Sequence, residues 1–316
     1  MKVVADKYIP YLQGLLDKYA EVLYLDPQDI TPAAVRDADC LIIRTRTLCN
    51  EALLACSRVR LILTATIGYD HIDAEYCRRA GIEWRNAPGC NADGVCDYVE
   101  SAMRATDCLT AGKVLGIIGV GEVGGRVCKM ALEHGMRVLL CDPPRAEREG
   151  AGAFVSKEVI AAKCDVITLH PTLTNGDAPH PTWHLVDDDF LALTKPEALI
   201  INAARGGIVD EDALIRSGRR CVIDCWENEP CINKDLLAYA GIATQHIAGY
   251  TLWGKYRATD IALRELTRFF GLEPIRIPKE QAPERHSTVF DIRTVSDRLK
   301  AAPDSFEQLR KDYPLR

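Results

Sequence analysis

The sequence predicts an α/β protein made of two doubly wound parallel-sheet domains, followed by a short C-terminal appendage. Short apolar runs alternate with helical patterns through most of the chain, and parallel strands need such crossover helices. A glycine-rich turn with the spacing G-x-G-x-x-G follows one apolar run in the middle of the chain. At 316 residues the chain is long enough for two domains and a short extra segment.

The composition is that of an ordinary soluble globular protein, with 47% hydrophobic and 27% charged residues. The net charge of −6 gives no electrostatic footprint for nucleic acid or an acidic membrane surface. The 13 cysteines include no CxxC pair and favour free thiols in a reducing cytoplasm. No apolar run could span a bilayer, and the N-terminus lacks the apolar core of a signal peptide. We therefore expect a cytoplasmic protein with no metal, nucleic-acid partner or membrane partner.

Residues 1–90 are predicted to form the substrate domain, because no glycine-rich phosphate motif occurs there. A helix is predicted near Tyr11–Tyr19, and a later helix over 255–271 is predicted to complete this domain. The predicted strands are the apolar runs Val3–Ala5, Val22–Tyr24, Leu41–Ile43, Leu61–Ala65 and Ile82–Trp84.

Two polar loops follow strands of this first domain, and ligands of open α/β sheets bind beyond the carboxyl ends of strands. One is Arg44–Thr47, and the other is Thr64–His71. Their hydroxyl and guanidinium groups suit a phosphate or a carboxylate, and a solvated polar loop is the alternative for each. Charge and position make Arg44 a candidate ligand of a substrate phosphate.

Residues 91–254 are predicted to form the nucleotide domain, entered through the turn cluster Asn86–Asn91 and a long helix over Ala92–Leu109. The segment 272–316 has more proline and charge and is too short for a third core, so it forms the appendage or an arm for a partner subunit. The predicted strands of the nucleotide domain are Val114–Ile118, Arg137–Cys141, Val166–Leu169, Ala198–Asn202, Cys221–Asp224 and Ile242–Thr244.

The glycine turn after Val114–Ile118 predicts a dinucleotide site, with a merely structural turn as the alternative. Gly119 allows the sharp turn, Gly121 lets a pyrophosphate approach the backbone, and Gly124 lets the following helix pack closely. The pyrophosphate would accept hydrogen bonds at the N-terminus of that helix. Asp142 ends the second strand, about 20 positions after the first glycine, and is placed to bind both ribose hydroxyls. An acid there favours NAD over NADP.

Three polar residues follow successive strands of the nucleotide domain and suit hydride chemistry. Arg205 could hold a substrate carboxylate, and His246 could act as a base near neutral pH. Glu229 could orient the imidazole and raise its pKa. A structural histidine or a solvated glutamate is the alternative for each alone, and His170 competes with His246 for the catalytic role.

The segments Gly119–Gly124, Asn202–Gly207, Asp224–Pro230 and His246–Tyr250 resemble motifs of the NAD-dependent D-2-hydroxyacid dehydrogenase family. The resemblance covers residues 1 to about 270 and returns more faintly in Phe290–Tyr313. It implies a flavodoxin-like substrate domain, a Rossmann NAD domain and a homodimer formed through a shortened C-terminal region. The more specific motifs, which point to one subgroup of the family, are TATIGYDHID at Thr64–Asp73, APGCNADGV at Ala87–Val95, CDPPRA at Cys141–Ala146 and HIAGYTLWGK at His246–Lys255.

The resemblance also implies roles for individual residues. It implies that Arg205, Glu229 and His246 are catalytic, with His246 as the proton donor and acceptor. Substrate contacts are implied for Thr45, Thr66 and Tyr250. Contacts with NAD are implied for Glu122, Val123, Asp142, Ala203, Ala204, Arg205, Asp224 and Gly249, with Thr172 a weaker candidate because His170-Pro171-Thr172 departs from the family's His-Thr-Pro.

Within the family, these motifs resemble members that oxidise 4-phospho-D-erythronate to 2-oxo-3-hydroxy-4-phosphobutanoate in pyridoxal 5′-phosphate biosynthesis. The expected substrate is therefore a small phosphorylated 2-hydroxy acid and the expected cofactor is NAD. One alternative is another D-2-hydroxyacid dehydrogenase, acting on glyoxylate or hydroxypyruvate or on 3-phosphoglycerate. The other is a non-catalytic NAD-sensing protein with the same fold, which an intact set of Arg205, Glu229 and His246 argues against.

Overall fold

The computed structural model describes residues 1–284 and 289–316, and these form two compact units. The first unit contains residues 1–91 and 250–284, and the second contains residues 92–249 and 289–316. The C-terminal segment is thus divided, with 272–284 in the first unit and 289–316 in the second.

The first unit contains a parallel sheet with the strand order β2-β1-β3-β4-β5. Its central strands are buried on both faces, which explains why their sequences are unbroken apolar runs. The strands are β1 (Lys2–Asp6), β2 (Glu21–Leu25), β3 (Cys40–Ile43), β4 (Leu61–Thr64) and β5 (Glu83–Arg85).

Helices cover both faces of this sheet, as the doubly wound prediction requires. Alternate strand residues enter two different cores: Ile42 packs on one face with Leu263 of the helix Leu252–Phe270, and Leu41 packs on the other face with Leu54 of the helix Glu51–Leu54. The helices of the first unit are α1 (Pro32–Val35), α2 (Glu51–Leu54), α3 (Ala74–Ala80) and α11 (Leu252–Phe270).

The predicted helix near Tyr11–Tyr19 is wrong, because this segment consists of turns. Tyr11 and Gly14 have φ values of 64° and 83°, and these left-handed conformations interrupt a helix. Leu12 and Leu16 are nevertheless buried against the sheet. Apolar residues four positions apart are therefore buried here by turns instead of by a helix.

The second unit contains a parallel sheet with the strand order β11-β10-β9-β8-β6-β7. The strand order reverses between β6 and β8, which is where open α/β sheets bind nucleotides. The strands are β6 (Val114–Ile118), β7 (Arg137–Cys141), β8 (Val166–Leu169), β9 (Leu199–Asn202), β10 (Arg220–Ile223) and β11 (Ile242–Ala243).

The C-terminal helices pack onto the second unit. The Ser296 hydroxyl accepts a hydrogen bond from the N–H of Ala243 in β11 at 2.9 Å, and Leu299 and Phe306 enter the main core. The helices of this unit are α4 (Ala92–Ala105), α5 (Glu122–Glu133), α6 (Pro143–Glu149), α7 (Lys157–Lys163), α8 (Asp188–Leu193), α9 (Glu211–Ser217), α10 (Lys234–Tyr239), α12 (Ile292–Ala301) and α13 (Phe306–Lys311).

The predicted α/β fold class with two parallel-sheet domains is confirmed. All cysteines are free thiols. Among the helices of residues 1–284 and 289–316, none combines the length and the hydropathy that a membrane span needs.

Candidate active site

The glycine turn between β6 and α5 requires glycine at two positions for packing and leaves the third open. A Cβ on Gly119, where φ is +85°, would lie 2.4 Å from the backbone N of Pro171, and one on Gly124 would lie 2.1 Å from the carbonyl oxygen of Gly119. A Cβ on Gly121 would meet nothing within 4 Å. Gly121 is also the N-cap of α5, and no side chain caps the helix there. The turn thus has the open approach to a helix N-terminus that a pyrophosphate needs.

Asp142 lies at the end of β7 beside this turn. Its Oδ2 accepts a hydrogen bond from the N–H of Val120 at 2.8 Å, and its Oδ1 accepts one from the N–H of Arg145 at 3.0 Å. Glu122 and Val123 form the first turn of α5, and Glu122 pairs with Arg126 at 2.7 Å. The carboxylate of Asp142 is therefore held next to the turn, where an acid can recognise a ribose.

The turn after β9 is held by the buried side chain of Asn202. Its Nδ2 donates to the carbonyl oxygen of Arg205 at 2.9 Å, and its Oδ1 accepts from the N–H of Ala204 at 3.2 Å. Arg205 Nη1 donates to the Ala204 carbonyl oxygen at 2.8 Å. Ala203 is buried, and Thr172, in the loop after β8, is exposed. The backbone that carries Arg205 is thus fixed by a residue of the strand itself.

His246 and Glu229 form a hydrogen-bonded pair after β11 and β10. Nδ1 of His246 lies 2.8 Å from Oε2 and 3.0 Å from Oε1 of Glu229. The Trp226 N–H donates to the same carboxylate at 3.0 Å. Because Nδ1 faces the carboxylate, Nε2 is the ring nitrogen left to exchange a proton with a substrate.

The electrostatics of the pair favour the charged form of both side chains. Burial opposes the imidazolium, but the neighbouring Cys225 and Glu229 outweigh it and raise the pKa of His246 well above its usual 6.5. Burial likewise opposes ionisation of Glu229, but the hydrogen bond from His246, the Trp226 N–H and the charge of Arg310 lower the pKa of Glu229. His246 can therefore act as a base, because the Glu229 carboxylate stabilises the imidazolium that forms when His246 takes up a proton.

Cys225 completes a group with the pair, in which each residue offers one ligand-type atom and these atoms lie within 4.8 Å of one another. Burial raises the pKa of the Cys225 thiol. Nδ1 of His246 already has a hydrogen-bond partner in Glu229, whose Oε2 lies 2.8 Å away. This chemistry suits a hydrogen-bonded base better than a metal site.

Asp224 holds the loop that carries His246. The carboxylate is fully buried, and its Oδ1 accepts from the Thr244 hydroxyl at 2.6 Å and from the Ile247 N–H at 2.8 Å. Its Oδ2 accepts from the Ala248 N–H at 2.9 Å. The predicted cofactor residue Gly249 ends this loop and is buried less than Ala248. Asp224 thus fixes the backbone on which the base is mounted.

His170, the competing histidine, has a different environment. Its Nε2 lies 2.9 Å from the hydroxyl of Thr168, and burial lowers its pKa to about 3. A histidine with that pKa is a weak base at neutral pH. The structure therefore favours His246 for proton transfer.

The predicted substrate residues lie in the first unit. Arg44 Nη1 donates to the carbonyl oxygen of Tyr8 at 3.0 Å, and Thr45 is exposed. The Thr66 hydroxyl lies 2.6 Å from the hydroxyl of Thr64 and donates to the Gly68 carbonyl oxygen at 2.8 Å. These contacts fix Arg44 and Thr66 while leaving Thr45 accessible.

The sequence analysis missed Lys255, which lies beside Tyr250 at the start of α11. Its Nζ is 5.7 Å from the centre of the Tyr250 ring. Burial and the positive charge of Arg44 lower the pKa of Lys255. A half-buried lysine near a second cation, in the first turn of a helix, favours binding of an anion, because both positive charges and the helix dipole attract one. The signal was present, because Lys255 closes the HIAGYTLWGK motif.

Residues 97–248 match the family model described as D-isomer specific 2-hydroxyacid dehydrogenase, NAD binding domain. Among solved structures, an NAD⁺-bound 3-phosphoglycerate dehydrogenase from Entamoeba histolytica is similar over 88% of this chain and 99% of that chain, with a TM-score of 0.72 and 25% identity. A D-lactate dehydrogenase from Aquifex aeolicus, in complex with NAD and lactic acid, is 26% identical, with a TM-score of 0.67 over 85% of this chain and 95% of that one.

Closer sequence relatives carry one name. The erythronate-4-phosphate dehydrogenase of Bacteroides fragilis is 45% identical over 100% of this chain and 97% of its own length. Proteins of that name from Porphyromonas gingivalis and Pseudomonas putida are 41% and 39% identical, over 99% and 100% of this chain and 92% of their own lengths. This chain belongs to the family of erythronate-4-phosphate dehydrogenases, within the D-isomer specific 2-hydroxyacid dehydrogenases.

Proposed function

We propose that this protein catalyses the NAD-dependent oxidation of 4-phospho-D-erythronate to 2-oxo-3-hydroxy-4-phosphobutanoate, a step in pyridoxal 5′-phosphate biosynthesis. The observation that carries the chemistry is the 2.8 Å contact between His246 Nδ1 and Glu229. The substrate assignment is supported by the names of relatives that match the whole chain.

NAD, when bound, supplies the acceptor for the hydride that leaves C2 of the substrate. Residues proposed to hold it are those around the glycine turn and the strand ends of the second unit. They are Gly119, Gly121, Glu122, Val123, Gly124, Asp142, Thr172, Ala203, Ala204, Arg205, Asp224 and Gly249.

His246 removes the proton of the C2 hydroxyl through Nε2, and Glu229 stabilises the imidazolium that results. The guanidinium of Arg205 binds the substrate carboxylate and fixes the orientation of C2. Arg44, Thr45, Thr66 and Tyr250 of the first unit are proposed substrate ligands. Lys255 joins this set, because its charge beside Tyr250 suits the phosphate end of the substrate.

We further propose that the protein acts as a homodimer in the cytoplasm. The free thiols support a reducing compartment, and the homodimer rests on the family resemblance of the C-terminal region. Light scattering on the purified protein tests the dimer, and a mass equal to one chain would contradict it.

The experiment that tests the reaction is formation of NADH with 4-phospho-D-erythronate, set against a panel of D-lactate, D-glycerate and 3-phosphoglycerate. We expect kcat/KM to be highest for 4-phospho-D-erythronate and to fall by at least about 1000-fold in His246→Gln. A higher kcat/KM for another acid would contradict 4-phospho-D-erythronate as the substrate and would identify that acid instead. Tight NAD binding without turnover of any acid would favour the non-catalytic alternative.

A further inference from the structure

The C-terminal helix α13 packs directly behind the loop that carries His246. Phe306 is 1% exposed and, with Leu309, belongs to the core of the second unit. The side chain of Gln245, the residue before His246, donates to the Leu309 carbonyl oxygen at 3.4 Å. The helix and the catalytic loop are thus held to each other on the side of the next residue, Arg310.

Arg310 extends from this helix to the catalytic pair. Its Nη1 lies 3.6 Å from Oε2 of Glu229, which is the oxygen that lies 2.8 Å from His246 Nδ1. The Arg310 side chain is 25% exposed and that of Glu229 is 18% exposed, so water screens the contact only in part. Arg310 also lies 3.4 Å from Glu307, which is on its own helix and 51% exposed.

We propose that Arg310 is a positioning residue for the catalytic pair, which holds the Glu229 carboxylate against His246 and keeps a second positive charge beside the imidazole. The inference rests on the proposed function, in which His246 moves the substrate proton. It gives the C-terminal segment, which the sequence predicts to be an appendage, an effect on catalysis through Glu229.

The physical argument concerns two cations that share one carboxylate oxygen. Arg310 and His246 approach the same Oε2, so their charged atoms lie within about 6.5 Å of each other. With Glu229 alone, the imidazolium would be strongly stabilised and slow to release its proton. The charge of Arg310 opposes that stabilisation and so limits how far the pKa of His246 rises.

The other groups that face the pair are Cys225 and Asp224 at the end of β10. Burial raises the pKa of the Cys225 thiol, and a thiol carries no positive charge in either protonation state. Asp224 has its carboxylate bound to the backbone of the His246 loop. Neither supplies a positive charge, whereas Arg310, which contacts Glu229, can lower the proton affinity of His246 through that carboxylate.

The sign of the expected effect follows from this arrangement. Oxidation needs neutral His246, so kcat rises with pH as the imidazolium loses its proton. Removing the Arg310 charge in Arg310→Gln raises the pKa of His246 and moves this rising limb to higher pH. A unit charge about 6.5 Å away, at an effective dielectric constant of about 40 to 80, moves the limb by about 0.5 to 1 pH unit. On the acidic side kcat then falls by about 3- to 10-fold.

The test compares Arg310→Gln with Arg310→Lys and with Lys311→Gln. Lys311 is the next residue on the same helix and is exposed, so Lys311→Gln makes the same change in net charge away from the pair. We expect the limb to move in Arg310→Gln, to stay close to the wild-type position in Arg310→Lys, and to stay in place in Lys311→Gln. If kcat rises over the same pH range in Arg310→Gln and in Lys311→Gln, the inference is overturned. A loss of activity that Arg310→Lys fails to restore would also overturn it.

A measurement without turnover separates this inference from the proposed function. The histidine NMR signals of the full chain are titrated in the wild type and in Arg310→Gln, with the His246 signal assigned by its loss in His246→Gln. A higher His246 pKa in Arg310→Gln supports the role of Arg310 whatever acid the enzyme oxidises. An unchanged His246 pKa in folded Arg310→Gln refutes it, even if 4-phospho-D-erythronate proves to be the substrate.

Discussion

Replacing Glu229 by glutamine removes the charge that stabilises the imidazolium of His246 and changes little in side-chain volume. In the wild type both carboxylate oxygens face Nδ1, at 2.8 and 3.0 Å, and the Trp226 N–H donates to one of them. Glutamine offers a single oxygen for these two donors. Glu229→Gln therefore weakens the orientation of the ring as well as its charge stabilisation.

The magnitude follows from the distance and the partial exposure of the pair. Two unit charges about 4 Å apart at an effective dielectric constant of about 20 interact by about 4 kcal/mol, which is an upper limit. The side chains of His246 and Glu229 are 31% and 18% exposed, and solvent screening reduces the figure to about 2 kcal/mol. That energy lowers the pKa of His246 by about 1.5 units and lowers the plateau of kcat by about 30-fold.

The assay is the initial rate of NADH formation at saturating substrate from mildly acidic to mildly alkaline pH. We expect the rising limb of kcat in Glu229→Gln to lie about 1.5 units below that of the wild type. Glu227→Gln is the matched control, because Glu227 lies in the same loop but pairs with His184 at 2.9 Å. A limb that stays in place in Glu229→Gln, or moves equally in Glu227→Gln, would refute the assignment of Glu229 as the partner of the base.

Three further predictions concern the cofactor turn, stability and the phosphate end. Gly121→Ala should leave Tm unchanged and weaken NAD binding at least about 10-fold by calorimetry, since its Cβ enters open space, whereas Gly124→Ala should lower Tm because its Cβ meets a carbonyl oxygen at 2.1 Å. Burial raises the pKa of Glu211 from 4.5 to about 7, so wild-type stability is lost as pH rises through that window. Glu211→Gln should therefore raise the free energy of unfolding at about pH 8, by up to about 3 kcal/mol, and by much less at about pH 5. Lys255→Met and Arg44→Ala should each raise KM for the phosphorylated acid about 10-fold or more, and equal effects on an unphosphorylated 2-hydroxy acid would contradict a phosphate role.

The strands of the second unit were the easiest elements to predict. Val114–Ile118, Arg137–Cys141 and Val166–Leu169 have the predicted bounds. Parallel strands covered on both faces are short apolar runs with sharp ends, and a glycine or a polar residue (Gly119, Asp142 or His170) directly follows each of these three. The two-residue strand Ile242–Ala243 was predicted one residue too long, since a short edge strand has little pattern to define its end.

The helix prediction for Tyr11–Tyr19 was wrong because buried residues in turns can have the same sequence spacing as the buried face of a helix. Leu12 and Leu16 are buried as a helix would bury them. What excludes the helix is the positive φ at Tyr11, which no propensity at that position indicates. The neighbouring Pro10 carbonyl oxygen accepts a hydrogen bond from the Thr259 hydroxyl of α11 at 2.8 Å, so tertiary contacts fix this backbone.

The candidate site was predictable where its residues follow strands and unpredictable where a distant helix contributes. Position after neighbouring parallel strands places Glu229 and His246 at one sheet edge. Arg310 lies far along the chain, in a six-residue helix whose other charges face solvent, and no local pattern separates it from Lys311. Long-range charge contacts of this kind become visible only once the tertiary structure brings the groups together.

The strained backbone of His246 explains the role of the buried Asp224, which directly follows β10. His246 has a φ of 55°, and a non-glycine residue in the left-handed region costs about 1 kcal/mol or more, so other contacts must hold it. The hydrogen bonds from the Ile247 and Ala248 N–H groups to Asp224 are charge-assisted, and each stabilises the turn by about 1.5 to 3 kcal/mol. They therefore offset the strain and fix the direction in which the imidazole leaves the chain. In the proposed mechanism, Asp224 therefore acts on proton transfer by fixing this turn, independently of any contact it makes with the cofactor.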